Sequence, residues 1–160
     1  MRILFVCLGN ICRSPAAEGV MLRKLADSNL STENFHCDSA GTAGYHTGSL
    51  PDGRMIEHAA RRGIPLPSRA RKFLVSDFDR FDLILVMDRA NESDVLALAR
   101  NNQDKSKVKL MLSYLEDQVY EEVPDPYYGG ADGFELVLDL LDKSCDNLLK
   151  TLITEHGEIN

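Results

Sequence analysis

The chain has 160 residues, 44% hydrophobic and 27% charged, with a formal net charge of −7. That length suits one domain (residues 1–160) with a core of its own, and the acidity argues against nucleic acid as its main partner. The longest apolar runs, such as residues 83–87, are far too short to span a bilayer, so no membrane partner is expected.

In chain order, residues 3–6 form a short β-branched and aromatic run, the pattern of a buried parallel strand. Cys7 closes the run. Gly9 and Asn10 follow, two residue types that tolerate positive φ, and Ser14-Pro15 reads as helix N-cap and first helical residue. A helix over 15–27 places Ala17, Val20, Met21 and Leu25 on one face. A second strand at 35–39 ends at Gly41, and a loop through Gly44, Gly48 and Pro51 leads to a helix over 52–62.

A short helix at 76–80 precedes a third strand at 83–87, a helical pattern over 88–100 and a fourth strand at 108–112. The loop over 113–132 carries Asp125-Pro-Tyr-Tyr128, and its length alone suggests function. The last helix aligns Phe134, Val137, Leu138, Leu141, Cys145, Leu148, Leu149 and Leu152 on one stripe. Strand-like and helix-like segments alternate, which predicts an α/β fold. The expected architecture is a single-domain open parallel four-stranded sheet with helices on both faces and a phosphate-binding loop after strand one. The basic cluster Arg61, Arg62, Arg69, Arg71 and Lys72 and the acidic stretch around Glu116 to Asp125 read as solvated surface.

The chemistry concentrates in residues 7–14. A strand–loop–helix unit points successive backbone N–H groups inward and adds the positive end of a helix, which makes an anion nest. Cys7 stands where that nest favours its thiolate, and Arg13, six positions on, presents a planar fork that matches two oxygens of a phosphoryl group. The amides of Leu8, Gly9, Asn10, Ile11, Cys12, Arg13 and Ser14 are the candidate phosphate ligands. Asp125, fixed by Pro126 and flanked by aromatics, is the candidate proton donor.

Residues 6–15, Val-Cys-Leu-Gly-Asn-Ile-Cys-Arg-Ser-Pro, resemble the signature loop of the low-molecular-weight protein tyrosine phosphatases, and Asp125-Pro-Tyr-Tyr128 resembles that family's acid loop. The resemblance implies hydrolysis of phosphotyrosine in proteins, and of small aryl phosphates, through a phosphocysteine on Cys7 with Arg13 and Asp125 as partners. It implies no metal and no cofactor. Asn10, Ser14 and Ser39 match supporting positions, with the Ser14 hydroxyl directed at Cys7. Ser68 stands where many members have a histidine. Tyr45, Tyr127 and Tyr128 match positions lining the substrate cleft, and Cys12 matches the cysteine that captures an oxidised nucleophile as a disulfide.

The remaining expectations are negative or coarse. The cysteines at 7, 12, 37 and 145 lack metal-ligand spacing, and Cys37 and Cys145 read as inert core residues. The histidines at 36, 46, 58 and 156 read as surface residues. Gly9-Asn10 interrupts the first apolar run, so a cleavable signal is not expected and a cytoplasmic location is. A cognate tyrosine kinase is the partner the resemblance suggests, and a monomer or weak dimer the expected state. Two rival readings stand beside this one. An arsenate reductase of the same fold would need redox cysteines in the gap between Cys37 and Cys145, where there are none. A non-catalytic phosphotyrosine-binding regulator would not need Cys7, Arg13 and Asp125 together.

Overall fold

The structure, a computed structural model, describes residues 1–28, 30, 34–117, 119–127 and 129–156. Four parallel strands, β1 (Arg2–Cys7), β2 (His36–Gly41), β3 (Leu83–Val86) and β4 (Val108–Leu110), form one sheet in the order β2-β1-β3-β4. The helices are α1 (Arg13–Asp27), α2 (Gly53–Arg61), α3 (Asp77–Arg80), α4 (Arg89–Leu96), α5 (Asn102–Ser106) and α6 (Ala131–His156). Placing β1 in the interior explains why its residues from Ile3 to Cys7 are apolar on both faces.

The alternating side chains of β1 and β3 divide the core in two. Ile3, Phe5, Leu83 and Leu85 pack beneath α1, α2 and α6, with Met21, Met55, Phe134 and Leu141. Leu4, Val6, Ile84 and Val86 pack on the opposite face with Phe73, Phe78, Phe81 and Val95. Helices therefore cover both faces, as the alternating pattern predicts. Among the described residues, no helix is long and apolar enough to cross a membrane.

Four local readings need correction. The helix expected over 88–100 is shorter: α4 ends at Leu96, and beyond the span Asn101 caps a separate helix, α5, by accepting the Asp104 N–H at 2.8 Å. The fourth strand stops at Leu110, whose carbonyl accepts the Ser113 hydroxyl at 2.6 Å as the chain tightens into a 3₁₀ turn over Met111–Tyr114. His58 is buried rather than exposed, stacked on Phe134 and bonded to Glu135 at 2.7 Å. The side chain of His156 lies outside the described residues. Arg71, read as solvated, is tied to Asp38 and to the fully buried Asp77, each at 3.0 Å.

Candidate active site

The carboxyl end of β1 opens onto a cavity of about 320 Å³. Cys7, Leu8, Gly9, Ile11, Cys12, Arg13, Tyr45, Asp125 and Tyr127 line it, together with His46, which the sequence reads as a surface residue beside Tyr45. Tyr45 stands at the rim, 80% exposed. Tyr128 lies outside the described residues. Asn10, Ser14, Ser39 and Ser68 are absent from the lining and stand behind the loop.

The loop's shape follows from where its polar groups are held. The carbonyls of Cys7, Leu8 and Ile11 accept the N–H groups of Thr42, Ala43 and Asp52 at 2.8–2.9 Å, which engages them on the outer side of the loop. Asn10 has φ of 56°, a left-handed conformation that asparagine tolerates better than most residues. Its side chain stabilises that turn at both ends, donating to Ser14 Oγ at 2.8 Å and accepting the Arg71 N–H at 3.0 Å. Gly41 permits the close approach of β2, since a Cβ there would stand 2.8 Å from the Leu8 carbonyl.

Ser14 is not the cap of α1. The helix begins at Arg13 with Cys12 in the capping position, and no side chain makes the capping bond. The Ser14 hydroxyl is instead turned onto the thiol of Cys7, 3.0 Å from its Sγ. Ser39 donates to Ser68 at 3.3 Å, and both hydroxyls stand near the buried carboxyl of Glu18 on α1 and favour its charged form.

Arg13 is 3% exposed and anchored through one end of its fork. Its Nη1 donates to Asp88 at 2.7 Å and to the Val123 carbonyl at 3.0 Å, while Nη2 stands 3.6 Å from Asp125. Burial disfavours its charge, but Cys7, Asp88 and Asp125 outweigh that and raise its pKa. The Cys12 pKa is raised as well, which for a thiol favours the neutral form. Burial, with Asp52, Cys7 and Asp125 nearby, pushes it up to about 12 and keeps it protonated. Cys37 is pushed up to about 12 by burial, and Cys145 is raised by the same cause.

A family model described as low molecular weight phosphotyrosine protein phosphatase matches residues 2–157. The chain belongs to this family. It is accordingly an enzyme, a protein-tyrosine phosphatase. A Synechocystis sp. relative is 51% identical over 152 residues, 95% of this chain and 96% of its own. The human low molecular weight phosphotyrosine protein phosphatase is 42% identical over 151 residues, covering 92% and 93% of the two chains. Among solved structures, a protein tyrosine phosphatase from Entamoeba histolytica superposes with a TM-score of 0.91 at 44% identity, covering 99% of each chain.

Four residues of this phosphatase's site escape a reading by motif. Asp88, which anchors Arg13, also caps α4 by accepting the Asn91 N–H at 2.8 Å. The available signal was its position, an aspartate just beyond the carboxyl end of a central strand. Asp52 and Arg54 tie α2 to the loop, and an N-cap aspartate followed by arginine looks like ordinary helix-start chemistry. Glu18 sits in a pattern that reads as a good helix former, with no local sign of burial.

Proposed function

We propose that the protein hydrolyses phosphotyrosine in proteins, and small aryl phosphates, through a phosphocysteine on Cys7. The observation that carries this reading is the convergence of Cys7, Arg13 and Asp125 on one cavity, with the Arg13 and Asp125 side chains 3.6 Å apart. The Cys7 thiolate attacks phosphorus, the bond from phosphorus to the aryl oxygen breaks, and the leaving oxygen takes a proton from Asp125. Asp125, now a carboxylate, removes a proton from water as that water attacks phosphorus. The S–P bond then breaks, returning the thiolate and releasing phosphate.

Charge on the phosphoryl oxygens is balanced by the free N–H groups of the Arg13 fork and by the amides of residues 8–14. These groups do the work a metal ion would otherwise do. The Ser14 hydroxyl supports Cys7 when it leaves as a thiolate. Tyr45 and Tyr127 flank the opening and suit a flat ring; Tyr128 belongs to the same proposal by its sequence position.

Cys12 is proposed as a redox guard. Peroxide oxidises the Cys7 thiolate to a sulfenic acid, and the Cys12 thiol then displaces the hydroxyl as water, leaving a Cys7–Cys12 disulfide. That first step also removes one of the negative charges that hold Cys12 protonated. A cytoplasmic setting, a tyrosine-kinase partner and a monomeric or weakly dimeric state complete the reading.

The test is hydrolysis of phenyl phosphate and a phosphotyrosine peptide in the presence of chelator. Cys7→Ser is expected to abolish turnover, and Asp125→Ala to lower it by about 10²–10⁴-fold. Unchanged turnover in Cys7→Ser sinks the mechanism. Arsenate-dependent thiol oxidation without ester hydrolysis favours the reductase, and tight phosphotyrosine binding without turnover in the wild type favours the regulator.

A further inference from the structure

Asp125 sits on a loop far in sequence from the phosphate loop it must serve, and a relay of contacts joins the two. It begins at the phosphate loop, where the Ile11 carbonyl accepts the Asp52 N–H at 2.8 Å. The Asp52 carboxylate accepts the Arg54 guanidinium through both oxygens, from Nε at 3.1 Å and from Nη2 at 3.0 Å. The same Nη2 reaches across to the Tyr127 carbonyl at 3.0 Å. Tyr127 in turn donates its backbone N–H to Asp125 Oδ1 at 3.0 Å, which leaves Oδ2 facing Arg13.

Arg54 is also sandwiched between rings. Its guanidinium carbon lies 5.4 Å from the centroid of Tyr127 and 4.8 Å from that of Phe134, which is anchored in the core at the start of α6. The fork thus holds one carboxylate, one carbonyl and two aromatic faces, a combination that a lysine cannot reproduce.

We propose that Arg54 is a positioning residue for the general acid: it fixes the Asp125–Tyr127 turn at a set distance from the phosphate loop through Asp52. This rests on the phosphatase reading above, and in particular on Asp125 as proton donor. An Arg–Asp pair at a helix start, with its arginine half exposed to solvent, contributes little to stability by itself. The consequence falls on geometry, where a small displacement of the acid weakens proton transfer to the leaving oxygen.

The distinguishing experiment compares two leaving groups in Arg54→Gln. Phenyl phosphate leaves as a basic phenolate that needs the proton, and 2,4-dinitrophenyl phosphate leaves as an anion that does not. The expected result is a fall in kcat/KM of about tenfold for the first and under about twofold for the second, part of the roughly 10²–10⁴ that general acids supply. In an Asp125→Ala background the same substitution is expected to add nothing for either ester. Arg54→Lys is expected to show the same selectivity with a smaller loss, and it carries the comparison if Arg54→Gln fails to fold.

Equal losses on both esters, no loss on either, or a full additional loss on Asp125→Ala overturn the positioning role. Failure of the wild type to hydrolyse either ester overturns the phosphatase reading itself. A wild type that is active, with Asp125→Ala insensitive to the leaving group, removes Asp125 as the acid and this proposal with it.

Discussion

Glu18 is the least expected charge in the molecule, and it makes the stability of the fold a function of pH. The residue is 3% exposed, and its Oε1 has no hydrogen-bond partner among the described residues. Burial is the chief reason its pKa rises from 4.5 to about 7, and Asp38 adds to the rise. The hydroxyls of Ser39 and Ser68 and the charge of Arg71 oppose it without cancelling it, since the Arg71 guanidinium is already committed to Asp38 and Asp77. Below pH 4.5 the carboxyl is protonated in both the folded and the unfolded chain. As pH rises from there the unfolded chain gives up its proton first, so stability falls until pH passes about 7 and is level beyond. The stabilisation is thus fully present at low pH and lost through the folded-state value.

The size of that loss follows from the same two values. A rise from 4.5 to about 7 corresponds to about 3 kcal/mol of folding free energy, most of it spent between pH 5 and pH 7. Glu18→Gln keeps the shape and removes the titration. The assay is urea unfolding of both proteins at intervals from pH 4.5 to 8, with the difference in ΔG between them as the readout, so that all other titrations cancel. The wild type is expected to lose about 3 kcal/mol against the variant over that span. A difference that does not change with pH refutes the reasoning, because it would mean that the folded carboxyl keeps its ordinary acidity. Ser68→His places a basic group against the same carboxyl and is expected to flatten the slope.

Three further outcomes follow from the site. Asp88→Asn keeps the cap of α4 and removes the charge opposite Arg13; kcat/KM for phenyl phosphate is expected to fall about 10–100-fold, in line with the 1.5–3 kcal/mol of a charged hydrogen bond, with little change in helix content by circular dichroism. Gly41→Ala drives a methyl to 2.8 Å from the Leu8 carbonyl, so it is expected to cost about 1–3 kcal/mol in urea unfolding and to lower turnover by displacing the loop that follows Cys7. Cys12→Ser is expected to leave activity in reductant within a few-fold of wild type while making peroxide inactivation irreversible on later addition of dithiothreitol; full recovery of the variant overturns the disulfide.

What could be read from the chain, and what could not, separates along a physical line. The strand at Ile3–Val6, the glycine and asparagine of the loop and the apolar stripe of α6 obey local rules of periodicity and backbone freedom, so each announced itself within a dozen residues. Cys7 and Arg13 were legible for the same reason, being six positions apart on one loop. Asp125 was a candidate from its long loop, but the resemblance is what singled it out, since an aspartate before a proline is ordinary turn chemistry. Ser14 shows where a local rule loses: serine before proline is a good cap, but the thiol 3.0 Å away takes the hydroxyl, and α1 starts two residues earlier than the rule predicts.

Asp88, Arg54 and Glu18 were illegible for a different reason. Each has a sufficient local explanation, as a helix cap, as an arginine of a helix start or as a helix-forming glutamate, and sequence periodicity stops at that explanation. Their second contacts are to residues 75, 73 and 21 positions away in the cases of Arg13, Tyr127 and Ser39, and only the parallel order β2-β1-β3-β4 brings those partners together. The order puts β2 and β3 on either side of β1, so whatever follows each strand's carboxyl end must meet the loop that follows β1. A residue at such an end answers to the neighbouring strand as well as to its own helix. The residues that tune the loop therefore reside where strands terminate, and a site read only from its motif omits its supports on both flanks.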